Sequence, residues 1–82
     1  MMKTISVPID EIYVPIKNAK NVDEAKIDAV AEAYIDSGKI TPIRVRHDGK
    51  RYVLVNGVNR LNALKALGEE NITAFLVQAV QH

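Results

Sequence analysis

The sequence YVLVNGVNRLNAL, residues 52–64, changes its periodicity at its centre. Residues 52–55 form a run of apolar side chains, the pattern of a strand buried on both faces, and we expect this strand to be central in a sheet. From Val58 onward apolar residues recur every three positions, which is typical of a helix. Asn56-Gly57 between the two patterns predicts a tight turn in which the strand leads directly into the helix.

This strand-to-helix junction has the properties of an anion-binding site. The first N–H groups of a helix have no partner within the helix and lie at the positive end of its dipole. Gly57 has no side chain to keep a phosphate away, and Arg60 lies one turn into the helix, within reach of the same point. A cation in the first turn of a helix is mildly unfavourable, because it lies at the positive end of the helix dipole. A bound phosphate would compensate this cost and so explain an arginine at position 60. A turn without a ligand is the alternative for Asn56-Gly57, and for Asn59 both phosphate binding and loop capping stay open.

Length and composition limit the classes of protein. We expect the 82 residues to form one domain, residues 1–82, with an aliphatic core, because the aromatic residues are only three tyrosines and one phenylalanine. The absence of cysteine excludes disulfides, thiolate metal sites and a cysteine nucleophile. His47 and His82 show no metal-ligand spacing, and we expect no metal site in the protein itself. No apolar run approaches the roughly 20 residues of a membrane span or resembles a signal peptide, and we expect a cytoplasmic protein.

The first half of the chain predicts a strand, a loop and a helix. Alternation over residues 5–9 indicates a short strand, and Pro8 places it at an edge or marks its end. Residues 12–21 have no period and are expected to be a loop. From Ile27 apolar residues recur with helical spacing as far as Ser37-Gly38, and either Asn21 or Asp23 would cap this helix.

The second half predicts a hairpin, the second helix and a closing strand. Residues 43–46 alternate, and the Asp48-Gly49 pair favours a tight turn to the strand over residues 52–55. Gly68 is placed to end the second helix, and residues 72–77 form the closing strand. The element order is β-α-β-β-α-β, which predicts a small mixed β-sheet with two helices against it, an α/β (α+β) fold.

The run TPIRVR, residues 41–46, together with residues 52–64, resembles the N-terminal domain of ParB partition proteins and the sulfiredoxins. VPIDEI, residues 7–12, agrees as well, and the resemblance covers almost the whole chain. It implies the ParB/sulfiredoxin fold. In this superfamily a Gly-X-X-Arg motif, here residues 57–60, follows the strand and holds nucleotide phosphates, those of CTP in ParB and of ATP in sulfiredoxin.

The resemblance therefore implies a nucleotide site in this chain. We expect ATP or CTP as the ligand. Mg²⁺ could accompany it, with Asp10 and Glu11 as candidate ligands, and the alternative is that these two residues only lead out of the strand. The residues expected to hold the nucleotide are Gly57, Val58, Asn59 and Arg60, with Lys20 and Lys26 assisting.

Departures from the relatives narrow the activity. Val58 stands where sulfiredoxin has its reactive cysteine, so reduction of a sulfinic acid by that route is excluded. Free-serine kinases of the same fold depend on a glutamate in the loop before the first helix, where this chain has lysines and asparagines at positions 17, 18, 20 and 21. An NTPase or small-molecule phosphotransferase is still an alternative function. Its candidate general bases are Asp10, Glu11, Asp23 and Glu24.

Two surfaces suggest further partners. The net charge is only +1, yet basic residues concentrate in the hairpin. This patch makes a DNA-binding or protein-interaction adaptor a further alternative, against an ordinary solvated sheet face. The apolar residues Phe75, Val77 and Val80 would offer a surface for a homodimer. The basic patch consists of Arg44, Arg46, Lys50 and Arg51.

Overall fold

A five-stranded sheet forms one layer of the computed structural model, which describes residues 3–77. The strands are β1 (Thr4–Pro8), β2 (Ile12–Tyr13), β3 (Ile43–His47), β4 (Tyr52–Asn56) and β5 (Asn71–Leu76). The helices are α1 (Ile16–Ala19), α2 (Glu24–Ser37) and α3 (Val58–Ala66), and a 3-10 turn covers Ile9–Glu11. The order across the sheet is β1-β5-β3-β4-β2. β1 is antiparallel to β5 and β3 to β4, whereas β3 runs parallel to β5 and β2 to β4.

The core lies between one face of the sheet and the helices. β3 contributes Ile43 and Val45, both fully buried, while Arg44 between them is exposed, as the two-residue period of a strand requires. Leu61 and Leu64 of α3 belong to the same apolar cluster. Full burial of each such side chain is worth roughly 1.5–3 kcal/mol, which holds α3 against the sheet.

The predicted α/β fold is confirmed, and so are the ends of both predicted helices. Asp23, not Asn21, caps α2, because its carboxylate accepts from the N–H groups of Ala25 and Lys26 at 3.0 and 3.4 Å. At the end of α3 the Glu69 N–H donates to the Leu64 carbonyl oxygen at 3.0 Å, the pattern expected around Gly68.

Two predictions about the sheet and its connections were wrong. Residues 12–21 are not a loop throughout, since they hold β2 and α1. These elements have two and four residues, too few to show a period. Burial on both faces of β4 was also wrong: β4 is an interior strand, as predicted, but its neighbour on one side is the two-residue β2. Accordingly Val53 and Leu54 are buried, but Val55 is 42% exposed.

The sheet is strongly curled. β1 and β2 lie on opposite edges, which a flat sheet would hold about 19 Å apart. Only the 3-10 turn connects them, and the four chain steps from Pro8 to Ile12 span at most about 14 Å. Curling therefore brings the two edges toward each other. The Ile9 N–H donates to the Glu70 carbonyl oxygen at 2.9 Å, which extends the pairing of β1 with β5 by one residue into the 3-10 turn. Within residues 3–77 no helix has the length and apolar character to cross a membrane.

Candidate functional site

The N-terminus of α3 is open. Gly57 precedes the helix with a φ of 110°, and no side chain among residues 3–77 caps the helix start. The hydrogen-bond ladder begins with the Leu61 N–H, which donates to the Gly57 carbonyl oxygen at 2.9 Å. The N–H groups of residues 58–60 therefore precede the ladder, as donors at the positive end of the helix dipole.

The structure requires glycine at position 57 for a reason other than the predicted one. A Cβ atom at this position would lie 2.6 Å from Cγ2 of Ile43, which is fully buried, and 3.3 Å from Nη2 of Arg60. The missing side chain would thus point into the core. Glycine is required here by its left-handed backbone and by the packing of β3, and the predicted role of clearing room for a phosphate is not what this geometry shows.

Arg60 is partly buried and lies against the start of β3. Its Nη1 donates to the carbonyl oxygens of Pro42 and Thr41 at 2.8 and 3.2 Å, while Nε and Nη2 make no hydrogen bond within residues 3–77. Burial, and next the positive charge of Arg44, lower the pKa of Arg60. The guanidinium nevertheless stays charged at neutral pH.

No carboxylate within residues 3–77 pairs with this charge. The one ion pair within the described residues joins Arg51 to Asp48, so Arg60 has only neutral carbonyl groups as partners. A partly desolvated cation without a counter-ion is costly, and an anion placed beside it recovers that cost. The free donors of Arg60 and the open N–H groups of α3 thus belong to one positive region.

Asn59 joins α3 to the connection between α1 and α2. Its Oδ1 accepts from the Asp23 N–H at 2.8 Å, and its Nδ2 donates to the Asn21 carbonyl oxygen at 3.3 Å. Of the two roles left open for Asn59, the structure shows the loop contact. The residue positions one wall of the site relative to the helix start.

A cleft of about 1000 Å³ lies between this connection and the start of α3. Val58 is only 7% exposed and belongs to the core cluster, so its contribution to the cleft is its backbone N–H. Lys20 and Lys26 are exposed on the opposite wall of the cleft. The cleft brings together all the residues predicted to hold a nucleotide: Lys20, Lys26, Gly57, Val58, Asn59 and Arg60.

Asn18 is a cleft residue that the sequence analysis did not identify. It lies in α1, is 9% exposed, and donates from Nδ2 to the Leu54 carbonyl oxygen at 2.6 Å. Its segment has no period, and its partner lies 36 positions away, so no local pattern marks it.

Of the four acidic residues considered as metal ligands or general bases, two line the cleft and two do not. Asp10 and Glu11, the predicted Mg²⁺ ligands, lie in the 3-10 turn and do not line the cleft. Asp23 and Glu24 do line it, although Asp23 already caps α2. In the described part of the chain, no group of three or more His, Asp or Glu residues is arranged to hold a metal ion.

The basic hairpin does not form one uniform patch. Arg44 and Arg46 project from the face of β3 that is opposite the core. Arg51 instead stacks over the ring of Tyr13 at 4.0 Å and pairs with Asp48 at 3.4 Å. The N–H groups of Arg51 and then Lys50 donate to the Asp48 carboxylate and lower its pKa. Lys50 lies exposed in the turn.

Solved structures share this fold. Sulfiredoxin from Arabidopsis thaliana superposes with a TM-score of 0.82 at 21% identity, over 94% of this chain and 86% of that one. The C-terminally truncated chromosome-partitioning protein ParB from Caulobacter crescentus, complexed with CTP-γ-S, has a TM-score of 0.78 at 18% identity, over 96% of this chain and 46% of that one. A free serine kinase variant in complex with ADP has a TM-score of 0.77 at 17% identity, over 90% and 30%.

Sequence comparison identifies the family. A probable chromosome-partitioning protein ParB from Campylobacter jejuni is 37% identical over 71 residues, which is 85% of this chain. The chain spans only 26% of that relative's length. The family described as the ParB N-terminal domain matches residues 1–82. The chain therefore belongs to the ParB N-terminal domain family.

Proposed function

We propose that the cleft at the start of α3 binds a nucleoside triphosphate. The observation that carries the proposal is the partly buried guanidinium of Arg60, which has no carboxylate partner within residues 3–77 and lies beside an uncapped helix N-terminus. In this arrangement phosphate oxygens accept from the N–H groups of residues 58–60 and from the free donors of Arg60. The bound phosphates then supply the counter-charge that Arg60 lacks.

Lys20 and Lys26 complete the phosphate site in this proposal. Both are exposed on the wall facing α3, on flexible side chains that can approach a polyphosphate without rearranging the backbone. An exposed lysine pairs weakly, worth about 0.2–1 kcal/mol. They add to an affinity that depends mainly on Arg60 and the helix start.

Relatives of the same fold support a nucleotide as the ligand. The Caulobacter crescentus ParB structure holds CTP-γ-S, and the free serine kinase structures hold AMP or ADP. ATP or CTP is accordingly the ligand that we propose here. Mg²⁺ would be bound chiefly by the phosphates, because Asp10 and Glu11 lie outside the cleft.

Titration calorimetry with CTP, ATP and inorganic tripolyphosphate tests the proposal. Arg60→Ala should weaken binding about ten- to a hundredfold, and Lys20→Ala about two- to fivefold. Lys50→Ala is the matched control, since Lys50 is also an exposed lysine but lies outside the cleft. Absence of binding for all three ligands would contradict the proposal, as would an equal loss in the Lys20 and Lys50 variants.

A second candidate function is nucleotide hydrolysis or phosphoryl transfer, for which Glu24 is the favoured base. It lines the cleft at the first position of α2, and its carboxylate makes no hydrogen bond or ion pair within the described residues. Glu24→Gln should abolish phosphate release, whereas Glu32→Gln, on the same helix but outside the cleft, should not. Release that is unchanged in the Glu24 variant would exclude this mechanism.

A further inference from the structure

Asn18 is the buried polar residue of the described chain, and one half of its amide is committed. Its Nδ2 donates to the Leu54 carbonyl oxygen at 2.6 Å. A carbonyl oxygen can only accept, so the amide cannot be turned the other way without placing two oxygen atoms against each other. The orientation of the Asn18 side chain is therefore determined by β4.

The other half of the amide is available to a ligand. Oδ1 of Asn18 accepts no hydrogen bond within residues 3–77. Every fully buried side-chain polar atom in that range has a hydrogen-bond partner, so Oδ1 is not fully buried and solvent reaches it. Asn18 also lines the cleft. The cleft thus contains a hydrogen-bond acceptor held in a rigid orientation by a residue that is nine-tenths buried.

The backbone of β4 relates this acceptor to the start of α3. Leu54, whose carbonyl oxygen holds the Asn18 amide, precedes Gly57 by three residues of extended chain, a span of about 10 Å. A nucleotide whose phosphates lie at the start of α3 has room to extend its base toward Asn18 within the same cleft.

We propose that Asn18 makes the cleft selective for nucleobases that carry an exocyclic amino group, cytosine and adenine, over their keto counterparts. This inference rests on the proposed nucleotide binding. The amino groups at cytosine N4 and adenine N6 donate, whereas the oxygen atoms at the same positions of uracil and hypoxanthine only accept. A keto base would set its oxygen against Oδ1, and this acceptor, once covered by the bound base, would lack a donor.

Two matched nucleotide pairs test the selectivity in the unmodified protein. CTP and UTP differ at the 4-position of the base, ATP and inosine triphosphate at the 6-position, and inorganic tripolyphosphate reports the phosphate site alone. We expect CTP and ATP to bind about tenfold or more tightly than UTP and inosine triphosphate. Equal affinities within both pairs, with tripolyphosphate still bound, would overturn the inference and leave the proposed function intact. Binding of none of these ligands would overturn both.

Asn18→Ala tests whether this residue is the source of the selectivity. The variant should bring both affinity ratios close to one while it keeps the tripolyphosphate affinity of the parent protein. Tripolyphosphate also reports folding, because an unfolded variant would lose it, and the matched pairs in the parent protein decide the selectivity even then. A variant that binds tripolyphosphate and retains the parent ratios would contradict the role of Asn18.

Discussion

Gly57 is under two independent constraints at the residue scale. Its φ of 110° lies where side chains other than hydrogen are strained, and the direction of its missing Cβ is blocked by Ile43 at 2.6 Å. The second constraint comes from β3, which is remote in sequence, so only the first was foreseeable from the Asn-Gly pair. The open N–H groups that follow Gly57 are a consequence of the same turn.

Gly57→Ala should lower the free energy of unfolding by about 2–4 kcal/mol, because backbone strain and overpacking add. Gly49→Ala is the matched control: its φ is 95°, but a Cβ there meets no atom within 4 Å. That variant should cost only about 1–2 kcal/mol. Urea unfolding of both variants measures the difference, and equal costs would show that Ile43 does not exclude a side chain at Gly57.

Contacts between elements decide the shape of the cleft. The periods of α2, α3 and β3 were readable because each apolar face repeats several times. The α1–α2 connection has no such repeat, and its position depends on Asn59, whose partners lie 36 and 38 residues away. Asn18, whose partner lies 36 residues away, joins α1 to β4. The uncapped start of α3 was therefore predictable from one local motif. On the opposite wall of the cleft, Lys20 and Lys26 were expected only from the resemblance, and Asn18 was not identified.

Asn59→Ala should release the α1–α2 connection from α3. The Asp23 N–H loses its acceptor, and each lost hydrogen bond costs about 0.5–1.5 kcal/mol. We expect faster amide hydrogen exchange at Asp23 and weaker nucleotide binding in the same variant. Asn62→Ala is the control, since Asn62 lies on the same helix and its side chain makes no hydrogen bond within the described residues. Unchanged exchange at Asp23 would show that Asn59 does not hold the connection.

At the scale of the whole molecule, α2 and β3 present opposite charges. β3 presents arginines on the face away from the helices. α2 presents exposed acidic residues at every fourth position, which are Glu24, Asp28, Glu32 and Asp36. Arg44 also acts on Arg60 of the cleft, so the two positive regions adjoin.

The predicted dimer surface is a separate matter: Phe75 lies in β5, between two strands, and Val80 is outside the described residues.

DNA binding by the open strand face stays a prediction, and salt dependence tests it. If Arg44 and Arg46 each contact a phosphate of duplex DNA, replacing both with Ala should reduce the slope of log affinity against log salt by about 1.8. Lys39→Ala with Lys65→Ala is a control of equal charge, because both lysines are exposed and lie off the strands. Fluorescence anisotropy of a labelled duplex at several salt concentrations gives both slopes. The single variants separate the two positive regions, since Arg46→Ala should weaken DNA binding alone, whereas Arg44→Ala should weaken nucleotide binding as well. No binding at low salt, or the same change of slope in the lysine control, would exclude this face as a DNA site.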